Sequence, residues 1–223
     1  MRSLPHLVLL GSVLACAAPA AHAEDHHHDH PSFTDLRIEG SVLPDTLEAD
    51  GSAEGPLGSV SRSGDVEFED AWRVGIIGVT ARSDDSGVVA FGTGGGLQYS
   101  RWYDGGDVDE KVEALAATLR LGLVIRPTSV FHIEVMPYGA VGGARGAIDD
   151  EESDVEVYWE FGGIASALLT FGSLQVGAHV GYLWNGTDLE YDSDENYPVA
   201  VENAEVELRG EDAFFGVSLG ARF

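Results

Sequence analysis

Cysteine is almost missing from this chain. The single thiol, Cys16, lies within the first 23 residues. Those residues have the layout of a secretory leader: Arg2 as the basic start, an apolar stretch over 7–15, and Ala21-His22-Ala23 as an A-x-A cleavage site. Cleavage there leaves a mature chain from Glu24 with no disulfide and no thiol chemistry. Long apolar runs are also missing. After residue 23 no stretch of 18 apolar residues occurs, which excludes helical membrane spans. Basic residues are scarce, 12 Lys and Arg against 38 Asp and Glu, for a net charge of −26. Loss of the leader removes Arg2 and no acid, which takes −26 to −27. Such a field excludes nucleic-acid binding. No Gly-rich stretch is followed by Lys-Ser or Lys-Thr, so no phosphate loop is present.

The leader has a second reading. Val13-Leu14-Ala15-Cys16 is similar to a lipobox, which would place a lipid on Cys16. Residues 24–32 form a His- and acid-rich tail, and 33–223 the folded domain. Mean hydropathy is near zero, at −0.01, and glycine is abundant, at 29. Low mean hydropathy is compatible with strands that are apolar only at every second residue.

That pattern recurs along the chain. Leu36-Arg37-Ile38-Glu39-Gly40-Ser41-Val42 alternates cleanly. Further strands are expected over roughly 70–81 (Trp72, Val74 and Ile76 opposite Arg73), 88–101, 112–126, 130–143, 154–171, 174–186 and 213–223. The connections alternate in length. Short turns are expected at 82–87, 126–129 and Gly172-Ser173. Long acidic loops are expected at 44–69, 102–111, 144–153 and 187–211. Within the last loop, Val199 to Leu208 alternates weakly and could extend the final hairpin. The count is eight strands.

The last stretch, AFFGVSLGARF, sets the frame. Phe223, Ala221, Leu219, Val217, Phe215 and Ala213 are all apolar, with small or polar residues between them. Eleven residues is about the length of a tilted membrane-crossing strand, ~9–11. This resembles the C-terminal targeting strand of Gram-negative outer-membrane barrels. With the alternation and the turn asymmetry, the whole mature chain resembles the small outer-membrane barrels of the OmpA/OmpX-like group. The resemblance implies an all-β, eight-stranded antiparallel transmembrane β-barrel in the outer membrane, with short periplasmic turns and long acidic outer loops. It implies no enzyme and no catalytic residues. It implies contact with outer-membrane lipid and lipopolysaccharide, and an assembly signal in Phe215, Val217, Leu219 and Phe223 read by the barrel-assembly machinery. Trp72, Tyr99, Trp102, Phe131, Trp159, Phe171, Tyr182, Trp184 and Phe223 fall near strand ends, as an aromatic girdle would.

The inward positions carry Arg37, Glu39, Arg73, Arg120, His132, Glu134, Glu156, Glu160, His179 and Arg222, separated by glycines. Mixed charges in a narrow barrel are expected to pair, because an unpaired buried charge is costly. The tight turn at Pro127 suggests that Arg120 and Glu134 are partners, directly or diagonally. Pairing across Gly172-Ser173 sets Ser166 opposite His179, with Glu134 at similar height on the next strand. These residue types could serve a hydrolase, but a packed lumen admits no substrate.

Metal chemistry has two candidate sites. His26, His27, His28 and His30 with the neighbouring acids could hold a divalent metal weakly. Asp188, Glu190, Asp192, Asp194 and Glu195 are spaced like hard-cation ligands, without the Gly and distal Glu of an EF-hand. No tightly held cofactor is expected. The leading expectation is a structural or surface-interaction role, in adhesion or cation binding, with the surface partner unnamed by the sequence. The alternative is a narrow pore or metal- and cation-handling envelope protein.

Overall fold

The computed structural model describes residues 32–55, 58–83, 88–106, 109–148, 151–192 and 203–223. The leader and the tail of His26, His27, His28 and His30 lie outside the described residues. Eleven strands follow in order: β1 Ser32–Val42, β2 Thr46–Gly55, β3 Gly58–Glu67, β4 Asp70–Ser83, β5 Val89–Gly105, β6 Asp109–Ile125, β7 Phe131–Ile148, β8 Glu151–Glu152, β9 Glu156–Phe171, β10 Leu174–Asp192 and β11 Asn203–Arg222. Eight of them, β1, β4, β5, β6, β7, β9, β10 and β11, form a closed ring, because β1 pairs with both β4 and β11. All pairings are antiparallel. No helix is present among the described residues.

The period-two pattern fixes which face each residue takes. On β11, Phe215, Val217 and Leu219 are exposed, while Phe214 and Ser218 are buried. The same phase runs round the ring. Leu36, Ile38, Val74, Ile76, Phe91, Leu119, Val135, Phe161 and Val180 all point outward. In water such a belt would be untenable. In lipid it is the solvated face. At its outer edge stand Trp72 against Tyr99, and a stack of Trp159, Phe161 and Trp184, with Trp184 Nε1 donating to Glu211 Oε2 at 2.8 Å. Gly172, at φ 64°, makes the tight turn between Phe171 and Leu174. At 126–129 the turn is held by the Phe131 N–H donating to Thr128 Oγ1, at 2.9 Å.

Two expectations are corrected here. Residues 44–69 are not a loop: they hold β2 and β3, a hairpin that continues the β1–β4 pair beyond the membrane. Val42 pairs with Phe215, and Glu48 with Arg209, in the same register. The alternation is hard to read in the sequence because acids and Ser (Glu48, Asp50, Ser52) stand at the outward positions, where a membrane strand would carry large apolar residues. The other expected loops are likewise mostly strand: over 102–111 β5 runs to Gly105 and β6 starts at Asp109, over 144–153 β7 runs to Ile148 and β8 holds Glu151–Glu152, and over 187–211 β10 reaches Asp192 and β11 starts at Asn203. The last of these agrees with the weak alternation noted there. The second correction is Trp102. It shares the phase of Gln98 and Ser100, so it lies inside the barrel at 2% exposure rather than in the girdle.

Candidate functional site

The lumen holds the chain's buried charge. Eight strands make a barrel barely wide enough for its own side chains, and glycine supplies the remaining room. A Cβ on Gly216 would lie 2.5 Å from His179 Nε2, and one on Gly220 would lie 2.6 Å from Arg37 Cγ.

The inner face is layered from the periplasmic end outward. Lowest is Phe33, with the guanidinium of Arg222 at 4.0 Å and that of Arg126 at 4.8 Å from its ring centre. Above it Arg222 grips Asp35 with two donors, Nε to Oδ1 at 2.7 Å and Nη2 to Oδ2 at 2.8 Å. Gln175 Nε2 donates to Asp35 Oδ2 at 2.8 Å. Next, Arg37 Nη2 donates to Glu134 Oε2 at 2.8 Å. Arg120 then meets Glu39 bidentately, at 3.0 and 2.7 Å. His179 Nε2 is 2.9 Å from Ser41 Oγ. The topmost polar layer centres on Glu160. It pairs with Arg73 and accepts from Tyr138 at 2.6 Å, Tyr158 at 2.5 Å and Gln98 at 3.2 Å. Above that the interior turns apolar. Leu43, Leu47, Phe68, Trp102, Val112 and Leu208 fill the outer mouth. Trp102 is pinned by its indole N–H to the Pro44 carbonyl at 3.0 Å.

All eight expected lumen residues, Arg37, Glu39, Arg73, Arg120, Glu134, Glu160, His179 and Arg222, therefore point inward, and His132 with them. Glu156 is only half-buried, near the outer rim. The pairing of Arg120 with Glu134 is wrong. The register sets Arg120 opposite Tyr138 and Glu134 opposite Val124, four positions apart. At about 3.4 Å per residue this is roughly 14 Å along the strand. Arg120 reaches across the lumen to Glu39 instead, and Glu134 to Arg37. Gln98, Tyr138, Tyr158 and Phe214 lie on the strand faces expected to point inward, whereas Asp35 and Gln175 are not among the expected inward residues. Counting the alternation on past each strand's apolar stretch would have found Asp35.

Four buried carboxylates (Asp35, Glu39, Glu134, Glu160) face four guanidiniums (Arg37, Arg73, Arg120, Arg222). This balance decides between a metal site and a structural network. Asp35, His132 and Glu134 bring three ligand atoms within 4.8 Å of one another. Arg222 already occupies that position: Nη2 is 2.8 Å from Asp35 Oδ2 and 3.2 Å from His132 Nε2. Arg37 neutralises Glu134. A divalent ion would have to displace a cation that is covalently part of the wall, so the residues do not fit a metal. The Ser166–His179–Glu134 alignment does occur, with Ser166 opposite both His179 and Glu134. The His179 ring, however, contacts Ser41 and lies in a closed, filled lumen.

Outside the membrane, β10, β11, β2 and β3 form a four-stranded wall. One face carries the acids. Asp188, Glu207 and Asp50 are direct cross-strand neighbours, as are Glu190 and Glu205. On the other face, Leu47, Leu189 and Leu208 are buried, and Tyr191 packs against them. Burial and the nearby Glu110 push the Tyr191 hydroxyl up to about 12. Residues 44–70 contain eight acids and one base, and 187–212 ten acids and one base.

No family model matches the chain, and no curated protein matches it. Solved structures do. The outer membrane protein OprG from Pseudomonas aeruginosa aligns over 88% of this chain and 97% of its own, at 14% identity and a TM-score of 0.52. Neisserial surface protein A aligns over 82% of this chain and 95% of its own, at 12% identity and a TM-score of 0.36. Ail of Yersinia pestis aligns over 86% and 99%, at 10% identity and a TM-score of 0.35. The expected likeness to small outer-membrane barrels holds at the level of fold. With its closed ladder and its apolar outer belt, the chain has the fold of a small outer-membrane β-barrel such as OprG.

Proposed function

We propose that this protein works from its outer surface and not through its lumen. It is a closed, non-enzymatic barrel that holds an acidic wall above the membrane for cationic partners. Those partners are divalent cations or basic groups on another macromolecule, met beside lipopolysaccharide. The observation that carries this reading is the filled interior: a balanced charge network below and an apolar plug of Trp102, Leu47 and Leu208 above. Ions crossing such a lumen would have to break buried pairs and then desolvate in the plug. The test is planar-bilayer recording on the purified protein. The wild type should show no unitary ion currents, whereas reproducible conductance steps would favour the pore reading.

The tail Glu24–His30 supports a second, minor role. Four imidazoles and three carboxylates within seven residues can hold zinc or nickel weakly. Calorimetry with each metal should give heat on the intact protein and little on a chain lacking residues 24–30. Equal heats would take the tail out of any metal role.

A further inference from the structure

The wall does not close on itself. Its strand order is β10-β11-β2-β3, and β3 ends the path. Along Gly58–Glu67, β3 pairs only with β2 among the described residues. Its continuation β4 is covered by β5, but that ladder stops at Asp70 opposite Tyr103. Ten residues of strand therefore stand above the rim with one side unpaired by any of the described residues. Nearly every residue on it is exposed, and Val60 reaches 72%. An edge of this kind presents backbone donors and acceptors to any chain able to lie alongside. Proteins commonly blunt such edges with Lys, Pro, a bulge or a cover. β3 has no Lys and no Pro, and Ser59, Ser61, Ser63 and Gly64 make its middle slim.

Hydrogen-bond phase follows from the hairpin. Gly55 and Gly58 pair across a two-residue connection. In such a hairpin the closing pair is hydrogen-bonded. Residues 58, 60, 62, 64 and 66 then bond to β2. Ser59, Ser61, Ser63, Asp65 and Glu67 turn their N–H and C=O groups to the free side. A strand added there would find Ser59, Ser61, Ser63, Asp65 and Glu67 beside it on one face, and Val60, Arg62, Gly64 and Val66 on the other.

Charge selects the occupant. Asp65 and Glu67 lie on β3 itself, Glu48 and Asp50 on the strand behind, and Glu69 and Asp70 at its foot. Arg62 is the lone base. A second copy would bring the same acidic wall against this one, with like charges facing. We propose that the β3 edge binds an extended basic segment of another polypeptide, which adds as a further strand. Its Lys or Arg residues would lie opposite Asp65 and Glu67, and its β-branched residues beside Val60 and Val66. This rests on the surface reading above, but conductance does not enter its test, so the two can fail separately.

The experiment uses the full chain in lipid nanodiscs. The probe is a ten-residue peptide of alternating Lys and Val, fluorescently tagged and ¹³C-labelled at one central carbonyl. The wild type should bind it, and the labelled amide I band should move to the position of a paired strand. Ser61→Pro with Ser63→Pro removes two outward donors and should weaken binding about tenfold or more. The heat-modifiable gel mobility of the barrel should stay unchanged. A peptide N-methylated at alternate residues poses the same question without altering the protein. Asp65→Asn with Glu67→Gln should weaken binding and flatten its salt dependence. No binding to the wild type would overturn the proposal. So would undiminished binding of the N-methylated peptide, which would mean attraction by charge alone. A concentration-dependent dimer abolished by the proline pair would assign the edge to a second copy instead.

Discussion

Truncating Glu39 to Ala will destabilise the barrel by about 3–5 kcal/mol, because it strands Arg120 as a buried, unpaired cation. Arg120 is 4% exposed and donates both of its terminal nitrogens to Glu39. Arg37 loses a neighbour as well, its Nε lying 3.6 Å from Glu39. Urea unfolding in lipid vesicles measures the loss. A double-mutant cycle then locates the partner. Arg120→Met with Glu39→Gln should show a coupling of about 0.5–3 kcal/mol, whereas Arg120→Met with Glu134→Gln should be additive. The opposite ranking would mean that Arg120 pairs along its own hairpin and not across the lumen.

The second large effect lies on the lipid face. On β11 the belt runs from Ala221, beside Leu36 and Leu174, to Ala213, beside Tyr182, with Val217 at its centre. Val217 is 66% exposed. Val217→Arg should cost about 2–4 kcal/mol, and Ala213→Arg, near the interface, about 0–1. Equal costs at the two positions would misplace the belt. Phe223 differs from both. Its side chain is exposed, and its backbone meets Thr34 through two hydrogen bonds at 2.9 and 3.3 Å. A chain ending at Arg222 should refold nearly as well in vesicles. If the C-terminal strand is the assembly signal proposed for it, that chain should reach the outer membrane in lower yield. Unchanged yield would remove Phe223 from that signal.

The sorting of residues to lumen or lipid was legible because a strand's side chains alternate strictly. Once one residue's face is known, its neighbours follow. This is why the alternation alone puts Arg37, Arg73, His179 and Glu160 inside. The same rule also exposes a misreading. The aromatic character of Trp102 suggests the girdle, but its phase matches Gln98 and puts it inside. Over 44–69 acids and small residues mask the alternation, because once a strand leaves the membrane its outer face need not be greasy.

By itself, then, the sequence determined the strand count of the ring, the inward and outward faces, the Gly172-Ser173 hairpin and the buried charges other than Asp35. Each of these depends on neighbours one to a few residues apart. Only the tertiary structure decided the partnerships. Arg120 meets Glu39, 81 positions away, and Arg222 meets Asp35, 187 positions away. Such contacts depend on how the sheet is staggered when it closes, a property of the whole ring. Closure also put Arg222 where Asp35, His132 and Glu134 would otherwise have resembled a metal site. It also left β3 as a free edge, since a strand shows no missing neighbour until all the others have been placed.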